Sequence, residues 1–196
     1  MPRLSDAVEL TPGRGSFTIP LIGFFSITHT GGVSVKTLNV LSSSPDWRAE
    51  RLSNLAPYPF VLDGICCASA EGFIQGIKFP PSSKERPQAF LSSGAAAKRF
   101  GKFAGREFVW WDGRAIPYSS EEHRRLIGRA IRAKFDQSDL ARRALIATEG
   151  LTLVHETGDP EHPDTSLPNE AFCTLLTKIR EELLVSERSH VTSTPP

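Results

Sequence analysis

The sequence predicts an α+β fold: a single domain, predominantly helical, with small β-hairpins in its N-terminal part. Apolar residues recur at a helical period from Ser69 onward. Before that point, short runs rich in Phe, Ile and Val are separated by turn dipeptides. Of the 196 residues 39% are hydrophobic and 23% charged, which is too apolar for a disordered chain and the right size for one domain. The expected organisation is a flexible stretch 1–15, the domain 16–185, and a flexible tail 186–196 ending in Thr-Ser-Thr-Pro-Pro.

Phe17 to Thr28 reads as a strand, His29-Thr30-Gly31-Gly32 as a turn, and Val33 to Leu41 as a returning strand, which together make a hairpin. Phe60-Val61-Leu62, Asp63-Gly64 and Ile65-Cys66-Cys67 form a tighter one, because Asp-Gly takes the positive φ angles of a type I′ turn. Ser69 caps a helix running to Phe79, where Pro80-Pro81 stops it. Ser92 or Ser93 starts another around Ala95 to Phe100, closed by Gly101. Ser119, as a capping box with Glu122, or Ser120 opens the clearest helix, whose buried stripe is Leu126, Ile127, Ala130, Ile131 and Phe135. Ser138 caps a helix over Asp139 to Thr148, and Leu151 to His155 is short and β-like. A Pro- and Asp-rich loop leads to the last helix, Asn169 to Leu184, with Phe172, Leu175, Leu176, Ile179 and Leu183 on one face.

Composition excludes several classes. The net charge of +1 rules out a polyanion-wrapping protein. The average hides a division, however, because residues 84–143 hold 14 lysines and arginines against seven acids. Three cysteines, Cys66, Cys67 and Cys173, are too few for a disulfide framework and point to a reducing compartment. No zinc spacing is present: His155-Glu156 begins like H-E-x-x-H, but Thr157-Gly158-Asp159 follows. No metal or cofactor is expected. Met1 to Gly15 lacks a basic segment followed by an apolar core, and the run Ile19 to Ile27 is too short and interrupted to span a bilayer. A cytoplasmic location without membrane contact is expected.

The most informative stretch is Ser69 to Phe79. At 100° per residue Glu71, Ile74, Gln75 and Lys78 share about a third of the helix circumference, with Phe73 and Ile77 opposite. A carboxylate, an amide and an amine therefore line up at i, i+4 and i+7. On spacing alone such a stripe is also an ordinary solvated face. The apolar flanks, Phe60 to Cys67 and Phe73 to Phe79, favour its enclosure. Gly72 and Gly76 leave room for another backbone or a ligand.

These residues resemble the NADAR (YbiA-like) family. Leu52-Ser-Asn-Leu-Ala-Pro-Tyr-Pro-Phe-Val-Leu-Asp-Gly64 followed by Ser69-x-Glu71-x-x-x-Gln75-x-x-Lys78-Phe79 is similar to its N-terminal signature. Ala96 to Gly101, Ile131 to Gln137, Leu140 to Thr148 and Leu175 to Leu183 resemble later elements, in the family's order. The resemblance covers about Leu38 to Leu183 and implies one YbiA-like domain.

The resemblance also implies an N-glycosidase cleaving a ribosyl C1–N bond, in particular one that removes ADP-ribose from modified guanine in DNA. A paired ADP-ribosyltransferase toxin is an implied partner, and such a protein would act as its antitoxin. It assigns Lys78 the role of nucleophile and Glu71 that of acid/base. Asn54, Asp63 and Gly64 match the pocket rim, and Gln75 and Lys134 match other polar positions. A riboflavin-pathway ribosyl-phosphate glycosidase and a non-catalytic ADP-ribose reader are the alternatives. The chemistry suits the residues: a carboxylate stabilises developing oxocarbenium charge and moves protons, and a desolvated lysine is nucleophilic.

Two departures stand out. Gly72 and Phe73-Ile74 replace the family's His and aromatic after the glutamate. The late D-x-x-W-G segment is absent; in its place stands Asp159 to Glu170, where Asp159 or Asp164 can supply an acid. Trp110 or Trp111 can stack on a base in the missing tryptophan's stead, or else belong to the core. Arg125, Arg129 and Arg132 form a stripe that can meet diphosphate or a nucleic-acid backbone, or else a solvated face.

Overall fold

The computed structural model describes residues 36–192. The first arm of the expected hairpin, Phe17 to Thr28, lies outside them, as do residues 1–15. The second arm contributes β1 (Thr37–Asn39), which among the described residues pairs with β6 (Thr152–Val154), in parallel register with Leu38 opposite Leu153. Parallel pairing needs a long crossover, and more than 100 residues of domain supply it.

The hairpin β2 (Phe60–Leu62) and β3 (Ile65–Cys67) forms as its sequence predicts, with Asp63 and Gly64 at φ 48° and 81°. A second hairpin, β4 (Phe108–Trp111) and β5 (Arg114–Pro117), turns at Asp112-Gly113 with φ 48° and 70°. The sequence reading assigns no strand there. It also omits two short helices, α1 (Trp47–Leu52), capped by Asp46, and α3 (Glu85–Phe90).

The expected helix after Ser69 is α2 (Ala70–Gly76), continued by tight turns to Phe79. The Ser69 hydroxyl accepts from Gly72 N–H at 2.9 Å and donates to Ser92 O at 2.9 Å, so it caps α2 while tying it to the next segment. Next come α4 (Gly94–Phe100), α5 (Glu121–Gln137), α6 (Asp139–Ile146) and α7 (Asn169–Thr192). Two expectations change. Ser120, not Ser119, caps α5 by accepting from His123 N–H, because Ser119 sits at φ 58° outside the helix. The last helix runs on to Thr192, through part of the stretch expected to be a flexible tail.

Helix α2 lies at the centre and packs against α3, α4 and α5. Phe73 is fully buried within 6.3 Å of the rings of Phe60, Phe90 and Trp111, measured between centroids. Gly72 makes this packing possible: a methyl there would stand 2.4 Å from Ser92 O and 2.7 Å from Ala89 O. The space left by this glycine is thus taken by backbone. Among the described residues no helix is long and apolar enough to cross a membrane.

Candidate functional site

Because Phe73 and Ile77 are pulled into the core, the opposite stripe of α2 faces outward onto a cavity of about 330 Å³. Glu71, Ile74, Gln75 and Lys78 all line it. The three polar groups are in contact: Lys78 Nζ donates to Gln75 Oε1 at 2.9 Å, and Gln75 Nε2 donates to Glu71 Oε1 at 2.8 Å. Gln75 thereby fixes its own orientation and connects amine to carboxylate. Gly101, closing α4, holds it from behind; a methyl at that position would meet Gln75 Oε1 at 2.7 Å.

Lys78 is buried, with Nζ 5.7 Å from the Tyr118 ring centre. Burial pulls its pKa below the ordinary lysine value; the Glu71 carboxylate acts against that and the nearby Arg106 guanidinium adds to it. His123, wholly buried beside Tyr118, is pushed down to about 4 by burial, then by Lys78 and Arg124. It is therefore neutral at pH 7 and adds no charge beneath the lysine. Its Nδ1 accepts from Ser119 N–H at 3.1 Å, which leaves the proton on Nε2.

The main chain also builds the wall. Glu71 N–H donates to Asn54 O at 2.8 Å, fixing the 53–56 turn against the start of α2. Asn54 lines the cavity, and its Oδ1 is buried without a hydrogen-bond partner. A buried acceptor left open at a cavity wall is an available contact for a ligand donor. The 157–170 loop adds His162, Asp164, Thr165, Ser166 and Leu167 to the lining. Asp164 is thus at the cavity, whereas Asp159 is exposed and does not line it.

Other predicted residues lie elsewhere. Asp63 accepts from Trp111 Nε1–H at 2.9 Å and pairs with Arg129 at 2.6 Å; the indole, then the guanidinium, holds its carboxyl below the usual range. This contact joins the two hairpin turns to α5. Trp111 is a core residue, and Gly64 is exposed in the β2–β3 turn. Arg125 pairs with Glu121 on an exposed face of α5. Lys134 is sealed in the interior, donating to Leu52 O at 3.1 Å and Ser53 O at 2.9 Å, and so holds the turn that carries Asn54.

The structure adds residues that the sequence reading missed: Lys98, Arg106, Tyr118 and His155 line the cavity. Lys98 stands inside the Ala96–Gly101 element, but its direction depends on how α4 packs. A larger cleft of about 700 Å³ between β6 and α7 shares His155 and Asn169 with this cavity. No group of three or more His, Cys, Asp or Glu able to hold a metal occurs among the described residues.

Comparison with known proteins places this architecture. The E. coli protein YbiA, solved by NMR, is similar with a TM-score of 0.55 and 25% identity, over 78% of this chain and 87% of YbiA. The fold is YbiA-like. An uncharacterised 17.1 kDa protein in the Gp30–rIII intergenic region of Enterobacteria phage T4 is 33% identical over 144 residues, 70% of this chain and 93% of the phage protein. The family described as bacteriophage protein GP30.3 matches residues 46–181. The chain belongs to the bacteriophage GP30.3 protein family.

Proposed function

We propose that the protein is an N-glycosidase that cleaves a ribosyl C1–N bond, removing ADP-ribose from modified guanine in DNA. The observation that carries this reading is the buried amine of Lys78 linked through Gln75 to the Glu71 carboxylate at the floor of a cavity. The YbiA-like fold and the sequence resemblance to NADAR proteins support it.

In this reading the Lys78 ammonium gives a proton to Glu71, Glu71 passes it to the departing base nitrogen, which keeps the electron pair of the broken bond, and the resulting carboxylate stabilises the positive charge left at C1. The neutral Lys78 amine adds to C1 as the ribose ring opens, forming a Schiff base. Water then attacks C1 and releases the sugar with a free anomeric centre, restoring the amine. Asn54 Oδ1 accepts from a ribose hydroxyl or the base, Asp164 serves as the second acid, and Lys98 and Arg106 meet phosphate. A volume near 330 Å³ holds a ribosyl group with its base or phosphate; the adenylate remainder extends into the adjoining cleft along β6 and α7.

The modest size of the cavity also favours a second reading, a small ribosyl-phosphate substrate such as the riboflavin-pathway intermediate. Incubation with guanine-ADP-ribosylated oligonucleotide and with the pyrimidine ribosyl-phosphate, followed by chromatography, separates the two. Release from the oligonucleotide is expected. Glu71→Gln lowers it by about 10²–10⁴-fold. Release from neither substrate refutes the glycosidase assignment.

A further inference from the structure

The segment Lys98-Arg-Phe-Gly-Lys-Phe-Ala-Gly-Arg106 turns two sides to two different cavities. Lys98 and Arg106 line the Lys78 cavity, while Arg99, Phe100 and Phe103 line a neighbouring groove of about 890 Å³ with Phe79 and Glu85. Phe103 is 78% exposed, the most exposed large hydrophobic side chain among the described residues. Phe100 beside it is fixed edge-on against Phe79, ring centres 6.2 Å apart. Lys98, Arg99, Lys102 and Arg106 are all exposed, and none forms an ion pair or side-chain hydrogen bond among the described residues. The first acids before and after the segment are Glu85 and Glu107. The basic stripe of α5 is different: Arg125, Arg129 and Arg132 all have carboxylate partners. Unneutralised cations interleaved with a solvent-facing ring are the chemistry that takes up single-stranded nucleic acid, with phosphates on the cations and a base on the ring.

We infer that residues 98–106 form a landing surface for a single-stranded nucleic acid, stacking a base next to the target nucleotide on Phe103 while Arg99 and Lys102 meet its backbone. The inference rests on the nucleic-acid reading of the Lys78 site. Continuity supports it, because the same segment lines that cavity and, through Gly101, abuts Gln75. Phe103, Arg99 and Lys102 do not line the cavity, so they act on the strand and leave the scissile bond to the α2 residues.

The test is anisotropy of a fluorescein-labelled, unmodified single strand of about ten nucleotides, titrated with the full-length protein at several salt concentrations. Phe103→Ala is expected to weaken binding about tenfold regardless of sequence, and Phe103→Tyr to restore it. Arg99→Ala and Lys102→Ala each flatten the salt dependence by about 0.7 in slope, whereas Arg125→Ala leaves it unchanged. Equal binding by wild type and Phe103→Ala overturns the inference, as does equal loss with Arg125→Ala. So does a wild type that binds no strand, including the case in which the groove takes a protein segment. The probe carries no scissile bond, so a protein that binds through Phe103 yet releases no ADP-ribose refutes the glycosidase reading alone. One that cleaves a modified mononucleoside while Phe103→Ala binds strands normally refutes the surface alone.

Discussion

Two lysines are buried among the described residues, and they differ in what is left for them to do. Lys134 is 0% exposed; its ammonium donates to two carbonyls and lies over Tyr58 and Phe135 at 5.7 and 5.0 Å. Lys78 is 8% exposed, donates to Gln75 and opens on a cavity. Both are desolvated, yet only Lys78 faces space in which another molecule can fit. Burial alone therefore does not single out a lysine for the proposed chemistry; an unfilled coordination sphere beside a cavity does.

The contrast is sharpest in paired substitutions. Lys78→Met is expected to abolish glycosidase activity while leaving stability within about 1 kcal/mol, since an apolar chain replaces a poorly compensated charge. Lys134→Met is expected to cost about 2–4 kcal/mol, because Leu52 O and Ser53 O lose their donor in the interior. Urea unfolding with activity per folded molecule measures both. Comparable activity in the two variants would break the distinction. Next in size is Gly101→Ala, whose methyl displaces the Gln75 amide; activity falls by up to about 100-fold, with a smaller effect on stability.

A pH series extends the comparison. Burial pushes Lys134 down to about 7, though its two carbonyls and two ring faces favour the charged form and oppose that shift. A folded-state pKa below the unfolded one means that the unfolded chain binds more protons between about 7 and 10. Stability from this residue therefore rises with pH across that window, by at most about 1.4 kcal/mol per pH unit, and Lys134→Met removes the slope. Lys78 is shifted in the same direction, so its adduct formation rises with pH and levels off below the range of an ordinary lysine. The smallest effect belongs to Arg125→Ala, which removes one exposed ion pair and changes stability by less than about 0.5 kcal/mol.

Helical and hairpin periodicity made the centre of this molecule readable from sequence. The Glu71–Gln75–Lys78 stripe follows from 3.6 residues per turn, and the Asp63-Gly64 turn from the φ angles that dipeptide tolerates. Asp112-Gly113 carries the same turn signal between Trp111 and Arg114, so β4–β5 is legible on the same grounds. Other features are non-local. Nothing near Thr37–Asn39 names Thr152–Val154 as its partner. The 157–170 loop has no period from which its place at the cavity wall could be deduced. Charge counting points to the α5 arginines, but counting cannot see that carboxylates on α5, on α7 and in the β2–β3 turn neutralise them. The lack of carboxylate partners for the cations at 98–106 among the described residues is likewise a property of packing that counting cannot see.

The most direct test of the account is borohydride trapping on a guanine-ADP-ribosylated oligonucleotide, with peptide mass mapping. The account predicts a reduced ribosyl adduct on Lys78, absent in Lys78→Met and undiminished in position by the presence of Lys134. Sugar release without any adduct on Lys78, or an adduct on Lys134 instead, would contradict it.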